Sequence, residues 1–362
     1  MTGGGTGGHV NPAIAIANTI REKEKDSVIA FVGTSRGIEN KLVPKFGYEI
    51  YHVEIQGLKR KLSLSNVKTV YLAITSVFKA KKLVKKFRPD VVIGTGGYVC
   101  WPVVKAAADL GIPTVLHESN ALPGVAVRML EKYVDIVYTN FEATAKRLKY
   151  PEKAIRVGNP LISGFNKKSD NNIKNGYKKL ILSYGGSLGA MRVNSEMIKL
   201  MRDFSSKYSD ILHIHASGAI EKESTRRLFE EYGLDKYENL QLVEYIYDMP
   251  DKMMAADLVI ARAGAMTLSE LAMMNKSCIL IPSPNVTDNH QYKNAVELEK
   301  KNAAIVYEEK DLTENTLTKA VESIIFDEKK LEEMRKNIGD FAVMNTNELI
   351  YNGIKELIKN KR

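Results

Sequence analysis

Three glycine-rich clusters are the first segments whose residue types and spacing could do chemistry. They are Gly3-Gly4-Gly5-Thr6-Gly7-Gly8-His9, Gly94-Thr95-Gly96-Gly97-Tyr98 and Gly185-Gly186-Ser187-Leu188-Gly189-Ala190. Each precedes a helical pattern. Glycine lets the backbone come close to a ligand, and the N-terminus of a helix offers N–H groups to a phosphate. The clusters predict phosphate-binding turns, with a plain tight turn as the alternative for any single one. None is a P-loop, and the dinucleotide fingerprint G-x-G-x-x-G is not met cleanly.

Two segments with histidine could supply acid–base chemistry. His9 ends the first cluster, and a histidine beside a phosphate-type loop can act as a general base near neutral pH. A capping or packing histidine is the alternative. His117-Glu118-Ser119-Asn120 follows an apolar run, and polar residues at the carboxyl end of a parallel strand face the ligand crevice. We expect a site role for this segment, with a helix-capping loop as the alternative.

A third polar segment, Ala265-Met266-Thr267-Leu268-Ser269-Glu270, follows the apolar run 258–260. Glu270 suits a ribose diol, because a carboxylate accepts two hydroxyl hydrogen bonds. The alternative is a capping box in which Thr267 caps a helix and Glu270 folds back. No Asp-x-Asp pair and no zinc spacing occurs in the sequence. A diphosphate leaving group would therefore have to be stabilised by backbone amides and a helix dipole.

The elements that must position these residues follow an α/β pattern. Continuous apolar runs that alternate with helical patterns predict parallel sheets covered on both faces. These runs are 28–32, 91–93, 114–116, 136–138, 180–182, 211–214, 258–260 and 279–281. They predict two Rossmann-like, doubly wound domains that face a cleft. We expect an N-terminal domain at 1–160, completed by a C-terminal helix at about 340–362, and a second domain at 161–339. The segment 329–360 is predicted to be helical.

The first glycine cluster lies unusually close to the start of the chain. A Rossmann unit normally has a central strand before this turn, and only Met1 and Thr2 precede it here. We expect the first strand to be missing, through a truncated or misassigned start.

Length and composition restrict the class of protein. The 362 residues suggest two domains, and 44% hydrophobic with 27% charged residues fit a globular protein. Cys100 and Cys278 cannot form a disulfide framework and predict reduced thiols in the cytosol. No apolar run reaches the ~18–20 residues that would cross a bilayer, and the start has no signal-peptide pattern.

The formal net charge of +10 is concentrated in one segment. Residues 55–89 hold ten Lys or Arg and no Asp or Glu. Apolar and basic residues at helical spacing predict an interfacial helix on an anionic membrane. The residues predicted to contact the membrane are Val67, Tyr71, Ile74, Val77, Phe78, Lys81 and Lys85. A core helix with a solvated lysine face is one alternative. Nucleic acid is another, but no nucleic-acid-binding motif accompanies the patch.

Taken together, the motifs resemble one family in order over nearly the whole chain. They resemble the MurG family of peptidoglycan N-acetylglucosaminyltransferases, in glycosyltransferase family 28. The segments that carry the resemblance are Gly4 to His9, Gly94 to Tyr98, His117 to Asn120, Gly158-Asn159-Pro160, Gly185 to Ala190 and Ala265 to Glu270. The resemblance implies a GT-B fold and inverting transfer of N-acetylglucosamine (GlcNAc) from UDP-GlcNAc to the 4-hydroxyl of the muramyl sugar in lipid I, which forms lipid II. It also implies a peripheral enzyme on the cytoplasmic face of the bacterial membrane, with no cofactor and no bound metal. Cell-wall synthesis and division proteins are further partners that it allows, and nucleic acid is not expected.

The resemblance also implies roles for individual residues. His9 is the expected base or an essential acceptor-site residue, and Glu118 is the other carboxylate candidate. The acceptor side would use Thr6, Gly7, Gly8, Tyr98 and Asn120. The donor side would use Ser187 at the diphosphate, Ile246 at the uracil, Glu270 at the ribose and Gln291 at the sugar, with Ala265, Met266, Thr267, Leu268 and Ser269 completing that loop.

Several positions depart from the family pattern, among them Leu188, Ile162 and His290, where the family often has Gln, Arg and Gln. They put individual donor contacts in doubt and leave the reaction class intact. The alternatives are a GT-B enzyme for another lipid acceptor such as diacylglycerol, a nicotinamide oxidoreductase, and a nucleic-acid-binding module.

Overall fold

The computed structural model describes residues 1–56, 64–162 and 173–361, without the side chains of 64–71, 73 and 74. The chain divides into two compact units. Unit 1 comprises Met1–Ser163 and Val343–Arg362, and unit 2 comprises Gly164–Ala342. The junction between the two units, residues 163–172, lies outside the described residues.

Unit 1 is built on parallel strands with helices between them. Its strands are β1 (Ala30–Gly33), β2 (Glu49–His52), β3 (Val92–Gly94), β4 (Thr114–Glu118), β5 (Ile136–Thr139) and β6 (Ala154–Arg156). β1 pairs with β2, and the other four follow the order β3-β4-β5-β6. Its first six helices are α1 (Gly7–Lys23), α2 (Glu39–Leu42), α3 (Leu64–Phe87), α4 (Cys100–Asp109), α5 (Val125–Leu130) and α6 (Glu142–Ala145).

The first two residues lie between β1 and β3. Thr2 forms isolated parallel bridges with both Val32 and Gly94. Its backbone N–H donates to the carbonyl of Ile93 at 2.8 Å, and the N–H of Val32 donates to the carbonyl of Met1 at 2.9 Å. In the described part of the chain no strand precedes α1. Met1 and Thr2 therefore take the central position that a first strand would occupy.

Unit 2 contains one sheet of six parallel strands. They are β7 (Lys179–Tyr184), β8 (Ile211–Ala216), β9 (Leu240–Val243), β10 (Leu258–Ala261), β11 (Ser277–Leu280) and β12 (Ile305–Val306). The order is β12-β11-β10-β7-β8-β9, so the direction of winding reverses at β7. Ligands bind at the carboxyl ends of the strands beside such a switch point. The helices of unit 2 are α7 (Met191–Asp203), α8 (Lys222–Glu231), α9 (Met249–Ala255), α10 (Ala265–Met273), α11 (His290–Glu299), α12 (Thr316–Ile325) and α13 (Glu328–Gly339).

The predicted helix at 329–360 is interrupted. α13 ends at Gly339, and α14 (Thr346–Lys361) begins after a break. Asn345 has a φ of 60°, which a right-handed helix cannot contain. α14 belongs to unit 1, where Ile350 and Ile354 are buried in one cluster with residues of α1 and of the sheet.

A buried serine–histidine network in unit 2 has the residue types of a hydrolytic site. The Ser183 hydroxyl lies 2.9 Å from Nε2 of His213 and 2.9 Å from Nδ1 of His215. All three side chains have no exposed surface. Burial lowers the pKa of His213 to about 3 and that of His215 to about 4, so both rings are neutral. With no access to solvent, this network holds β7 and β8 together and is not a site.

Candidate functional site

In unit 1, the first two glycine clusters pack directly against each other. The Thr95 hydroxyl donates to the carbonyl of His9 at 2.7 Å, and the N–H of Gly4 donates to the carbonyl of Gly96 at 3.3 Å. Gly96 has a φ of +113°, and a Cβ at this position would lie 2.5 Å from Cδ2 of His9. Only glycine fits against the His9 ring in this conformation.

His9 is held in one tautomer in the first turn of α1. Its Nδ1 lies 3.0 Å from the carbonyl oxygen of Gly4. Since a carbonyl only accepts, Nδ1 carries the proton and Nε2 keeps its lone pair. Burial lowers the pKa of His9 below its usual value, against the opposing effects of the Gly4 carbonyl and the Glu39 carboxylate. A neutral imidazole with an available Nε2 can accept a proton at neutral pH.

The other predicted acceptor-side residues surround this turn. Thr6 is the residue before α1, and its side chain does not cap the helix, of which Gly7 and Gly8 are the first residues. Their N–H groups are the first-turn donors that helical hydrogen bonds leave over. Tyr98 is 42% exposed, and its ring lies beside Gly5.

Glu118 is engaged in its own loop. It is 5% exposed at the end of β4. Its carboxylate accepts from the N–H of Asn120 at 2.9 Å, the amide of the Asn120 side chain at 3.1 Å and the N–H of Gly124 at 2.7 Å. The neighbouring His117 is fully buried, and its Nε2 lies 2.9 Å from the carbonyl of Gly158. These bonds organise the loop, and they favour His9 over Glu118 as the base.

In unit 2, the third glycine cluster forms the turn between β7 and α7. The N–H groups of Ala219 and Ile220 donate to the carbonyls of Ser187 and Leu188, both at 3.1 Å. Ser187 is exposed, and no side chain caps α7 at Ala190. The first turn of a 13-residue helix therefore offers its N–H groups beside an exposed hydroxyl, an arrangement suited to a phosphate.

Glu270 lies in α10, the helix that follows β10, and β10 is the strand paired with β7. α10 begins at Ala265, and Gly264 precedes it without a side-chain cap. The capping-box alternative for Thr267 and Glu270 is therefore wrong, because the helix starts two residues before Thr267. Ala265, Met266, Thr267, Leu268 and Ser269 lie in the first turns of α10. Burial raises the pKa of Glu270 to about 7.

The remaining donor-side residues are Gln291, at the start of α11, and Ile246, in the loop between β9 and α9. The side-chain oxygen of Gln291 accepts from the N–H of Ser283 at 2.9 Å, and His290 Nδ1 lies 2.8 Å from the carbonyl of Thr287. Ile246 is only 5% exposed. Its neighbours Tyr245 and Tyr247 are 48% and 91% exposed, with ring centroids 5.0 Å apart. The sequence analysis did not single out these tyrosines, although two aromatic residues that flank the predicted uracil contact are a signal in the sequence.

The predicted membrane residues on α3 are not all exposed. Val77 packs against the core of unit 1, and Lys81 forms an ion pair with Asp109 at 2.8 Å. Phe78 is 63% exposed, and Lys85 is exposed. Val67, Tyr71 and Ile74 have side chains outside the described part.

Glu39 is a residue that sequence reasoning missed. Its side chain is 1% exposed and accepts a hydrogen bond from the N–H of Gly5 in the first glycine cluster. Among the described residues, no three His, Cys, Asp or Glu side chains are grouped to hold a metal ion. Within the same residues, no helix has the length and apolar content to span a membrane.

Comparison with known proteins gives the family. Residues 1–139 match the glycosyltransferase family 28 N-terminal domain, and residues 180–350 match its C-terminal domain. The chain is 43% identical over 365 residues to the UDP-N-acetylglucosamine–N-acetylmuramyl-(pentapeptide) pyrophosphoryl-undecaprenol N-acetylglucosamine transferase of Ruminiclostridium cellulolyticum, covering 99% of each. It is 40% identical to the protein of that name from Acetivibrio thermocellus over 366 residues, 100% of this chain and 98% of the relative.

A solved structure gives the same result. Acinetobacter baumannii MurG is similar with a TM-score of 0.78 and 26% identity over 98% of each chain. Two parallel, doubly wound units and this likeness confirm the predicted GT-B fold class. The matches to both family domains and to full-length relatives leave one conclusion: the chain belongs to glycosyltransferase family 28.

Proposed function

We propose that this chain transfers GlcNAc from UDP-GlcNAc to the 4-hydroxyl of the N-acetylmuramyl sugar of lipid I, with inversion at the anomeric carbon, and forms lipid II. The observation that carries the proposal is the His9 ring, fixed by Gly4 so that Nε2 can accept a proton. Full-length identity of 40% to 43% with enzymes named for this transfer supports lipid I over diacylglycerol as acceptor.

The acceptor is assigned to unit 1. Lipid I carries a diphosphate, and the uncapped first turn of α1 offers N–H groups to such an anion. His9 lies in the same turn. We assign His9 as the base for the acceptor hydroxyl. The proton of that hydroxyl would move to Nε2 of His9 as the oxygen attacks the anomeric carbon.

The donor is assigned to unit 2. The N–H groups of the first turn of α7 and the Ser187 hydroxyl would bind the diphosphate, and Glu270 would accept from the ribose hydroxyls. As the bond from the sugar to UDP breaks, negative charge grows on the leaving diphosphate. Preorganised amides and the helix dipole stabilise that charge, and we propose that the reaction needs no bound metal.

The location is assigned to the cytoplasmic face of the bacterial membrane, as a peripheral enzyme. The end of α3 presents Phe78, Lys82, Lys85, Lys86 and Phe87, all of them exposed. Exposed aromatic and cationic side chains on one helix suit the interface of an anionic bilayer. We further propose that this surface brings unit 1 to a lipid-linked acceptor.

The test of the activity is product analysis with labelled UDP-GlcNAc and a lipid I analogue, with diacylglycerol as the second acceptor. Labelled lipid II is the expected product, with turnover unchanged by EDTA. In His9→Gln we expect kcat to fall by about a hundredfold or more, because general-base catalysis contributes ~10²–10⁴-fold, with little change in the donor Kd.

Three outcomes would contradict these assignments. Transfer to diacylglycerol alone would overturn the acceptor, and loss of activity in EDTA would overturn the metal-free reaction. Full turnover in His9→Gln would remove His9 as the base. His52→Gln is the matched control, since His52 is exposed and lies in β2 of the same unit.

A further inference from the structure

Glu39 is an ionised carboxylate buried beneath the first glycine cluster. Its Oε2 accepts from the N–H of Gly5 at 3.1 Å, and its Oε1 accepts from the N–H and the hydroxyl of Thr34 at 2.9 and 2.8 Å. Burial acts to raise its pKa, but the donors from Thr34, its own amide and Gly5 outweigh burial and hold that pKa below the usual range. The side chain is therefore charged at neutral pH while only 1% exposed.

Three glycines make room for this carboxylate. A Cβ at Gly4 would lie 2.7 Å from Oε1, and one at Gly33 would lie 2.6 Å from Cγ of Glu39. A Cβ at Gly37 would overlap Oε2 outright. The turn after β1 and the glycine cluster before α1 thus close around one side chain, which ties them together.

Glu39 and His9 bind adjacent backbone groups of the same short turn. Glu39 binds the N–H of Gly5, and His9 Nδ1 binds the carbonyl of Gly4, the adjacent residue. Among the described residues, Glu39 is also the charged group that acts on the pKa of His9, and its effect is to raise it. The leading causes that lower the pKa of Glu39 are hydrogen-bond donors, and none of them is a lysine or arginine.

We propose that Glu39 is a positioning residue for the transfer reaction: it fixes the Gly4 carbonyl that sets the His9 tautomer, and its unpaired charge stabilises the imidazolium that forms when His9 accepts the acceptor proton. This inference rests on the proposed role of His9. A buried anion without a cationic partner is costly in the resting protein. The cost is offset when the neighbouring ring becomes positive, which favours the transition state over the ground state.

The test compares Glu39→Gln with Glu131→Gln. Glu131 is the matched control: it is 1% exposed in the same unit, and it accepts from the N–H groups of Lys149 and Tyr150 at 2.8 and 3.2 Å. The first readout is NMR of the full chain with ¹⁵N-labelled histidine, which reports the His9 tautomer and pKa without substrate. The second is the pH profile of kcat and kcat/KM with labelled UDP-GlcNAc and a lipid I analogue.

In Glu39→Gln we expect the His9 pKa to fall, because the opposite charge is removed. We also expect more of the Nε2–H tautomer and a decrease in kcat of about tenfold or more at an unchanged donor KM. Glu39→Asp keeps the negative charge, but its shorter side chain no longer reaches the N–H of Gly5. Compared with Glu39→Gln, it should bring the His9 pKa back toward the wild-type value while the tautomer stays altered. Glu131→Gln should change neither.

An unchanged His9 pKa and tautomer in folded Glu39→Gln would overturn the proposal, as would equal losses of kcat in Glu39→Gln and Glu131→Gln. If Glu39→Gln does not fold, Glu39→Asp decides by the same NMR readout, and a wild-type tautomer there is the contrary result. Failure of the wild-type chain to transfer GlcNAc would contradict the proposed function instead, and leaves the NMR comparison as an independent test of Glu39.

Discussion

Glu270 shows how the surroundings of one carboxylate can make donor binding depend on pH. Its pKa is raised to about 7 by burial. The ionised form is the better acceptor for two ribose hydroxyls, since charge-assisted hydrogen bonds are the stronger ones. Protonation of Glu270 as the pH falls through 7 removes that charge. Donor binding should therefore be strongest above pH 7 and weaken below it.

We expect the Kd of UDP-GlcNAc, measured by calorimetry, to rise by about tenfold between pH 8 and pH 6. Glu270→Ala should weaken binding by ~1–3 kcal/mol at pH 8. In Glu270→Gln the dependence on pH should disappear, because the residue no longer titrates. A wild-type Kd that is constant over this range, or a slope that persists in Glu270→Gln, would contradict the role of Glu270.

Single residues differ in how far the sequence reveals them. His9 stands out in the sequence because a histidine beside a phosphate-type loop can act as a general base, and its role as the base stays a prediction. Glu39 was not, because a lone glutamate in a polar segment looks like a solvated side chain. Its burial depends on Gly4, Gly33 and Gly37 meeting in three dimensions. The spacing of Thr267 to Glu270 allows a capping box as the alternative to a binding role, but Gly264 takes the N-cap position.

At the scale of elements, the C-terminal helix α14 depends on one glycine. Gly353 faces Tyr138 of β5, and a Cβ at this position would overlap the tyrosine hydroxyl. That hydroxyl is buried and, among the described atoms, has no hydrogen-bond partner. Removing it should therefore cost little and would make room for a side chain on α14.

We expect Gly353→Ala to lower the free energy of unfolding of unit 1 by ~1–3 kcal/mol, the usual cost of overpacking. Tyr138→Phe should recover most of this loss in the double variant, because it removes the hydroxyl that the alanine Cβ would meet. Alanine also favours a helix over glycine by ~1 kcal/mol. Urea unfolding of the wild type, the two single variants and the double variant measures the coupling free energy between Gly353 and Tyr138. Additive effects of the two changes would show that the contact does not limit the packing of α14.

Elements in the middle of each sheet could be predicted from the sequence, and elements at the edges could not. The buried strands β4, β7 and β10 contain continuous apolar runs, a pattern typical of a parallel sheet covered on both faces. The sequence does not reveal β2 and β6, because both strands are short and largely exposed and therefore lack a continuous apolar run. β12 has only two residues, and its pairing depends on β11 being in place.

At the scale of the whole molecule, the excess positive charge predicts selective membrane binding. We expect the chain to sediment with phosphatidylglycerol vesicles and not with phosphatidylcholine vesicles. Exchange of Lys82, Lys85 and Lys86 for alanine should weaken binding by roughly 1 kcal/mol per lysine, and more salt should weaken it further.

The matched control exchanges Lys319, Lys329 and Lys336, which are exposed on unit 2. Equal losses in the two triple variants would contradict a local binding surface on α3. Duplex or single-stranded DNA that displaces the chain from vesicles at low concentration would instead favour the nucleic-acid alternative. Equal binding to both vesicle types would indicate that Phe78 and Phe87, and not the lysine charges, provide the membrane affinity.

The division of the chain has a consequence for the order in which a ribosome produces its parts. Unit 1 begins at Met1 but needs Val343–Arg362, whereas unit 2 is one continuous stretch, Gly164–Ala342. During synthesis, the first unit to start must therefore wait for the last twenty residues, while the other can already be complete. Until α14 emerges, the apolar surface around Ile16, Ile93 and Val115 lacks Ile350 and Ile354. Nascent chains stalled just before α14 are thus the ones that a chaperone should hold.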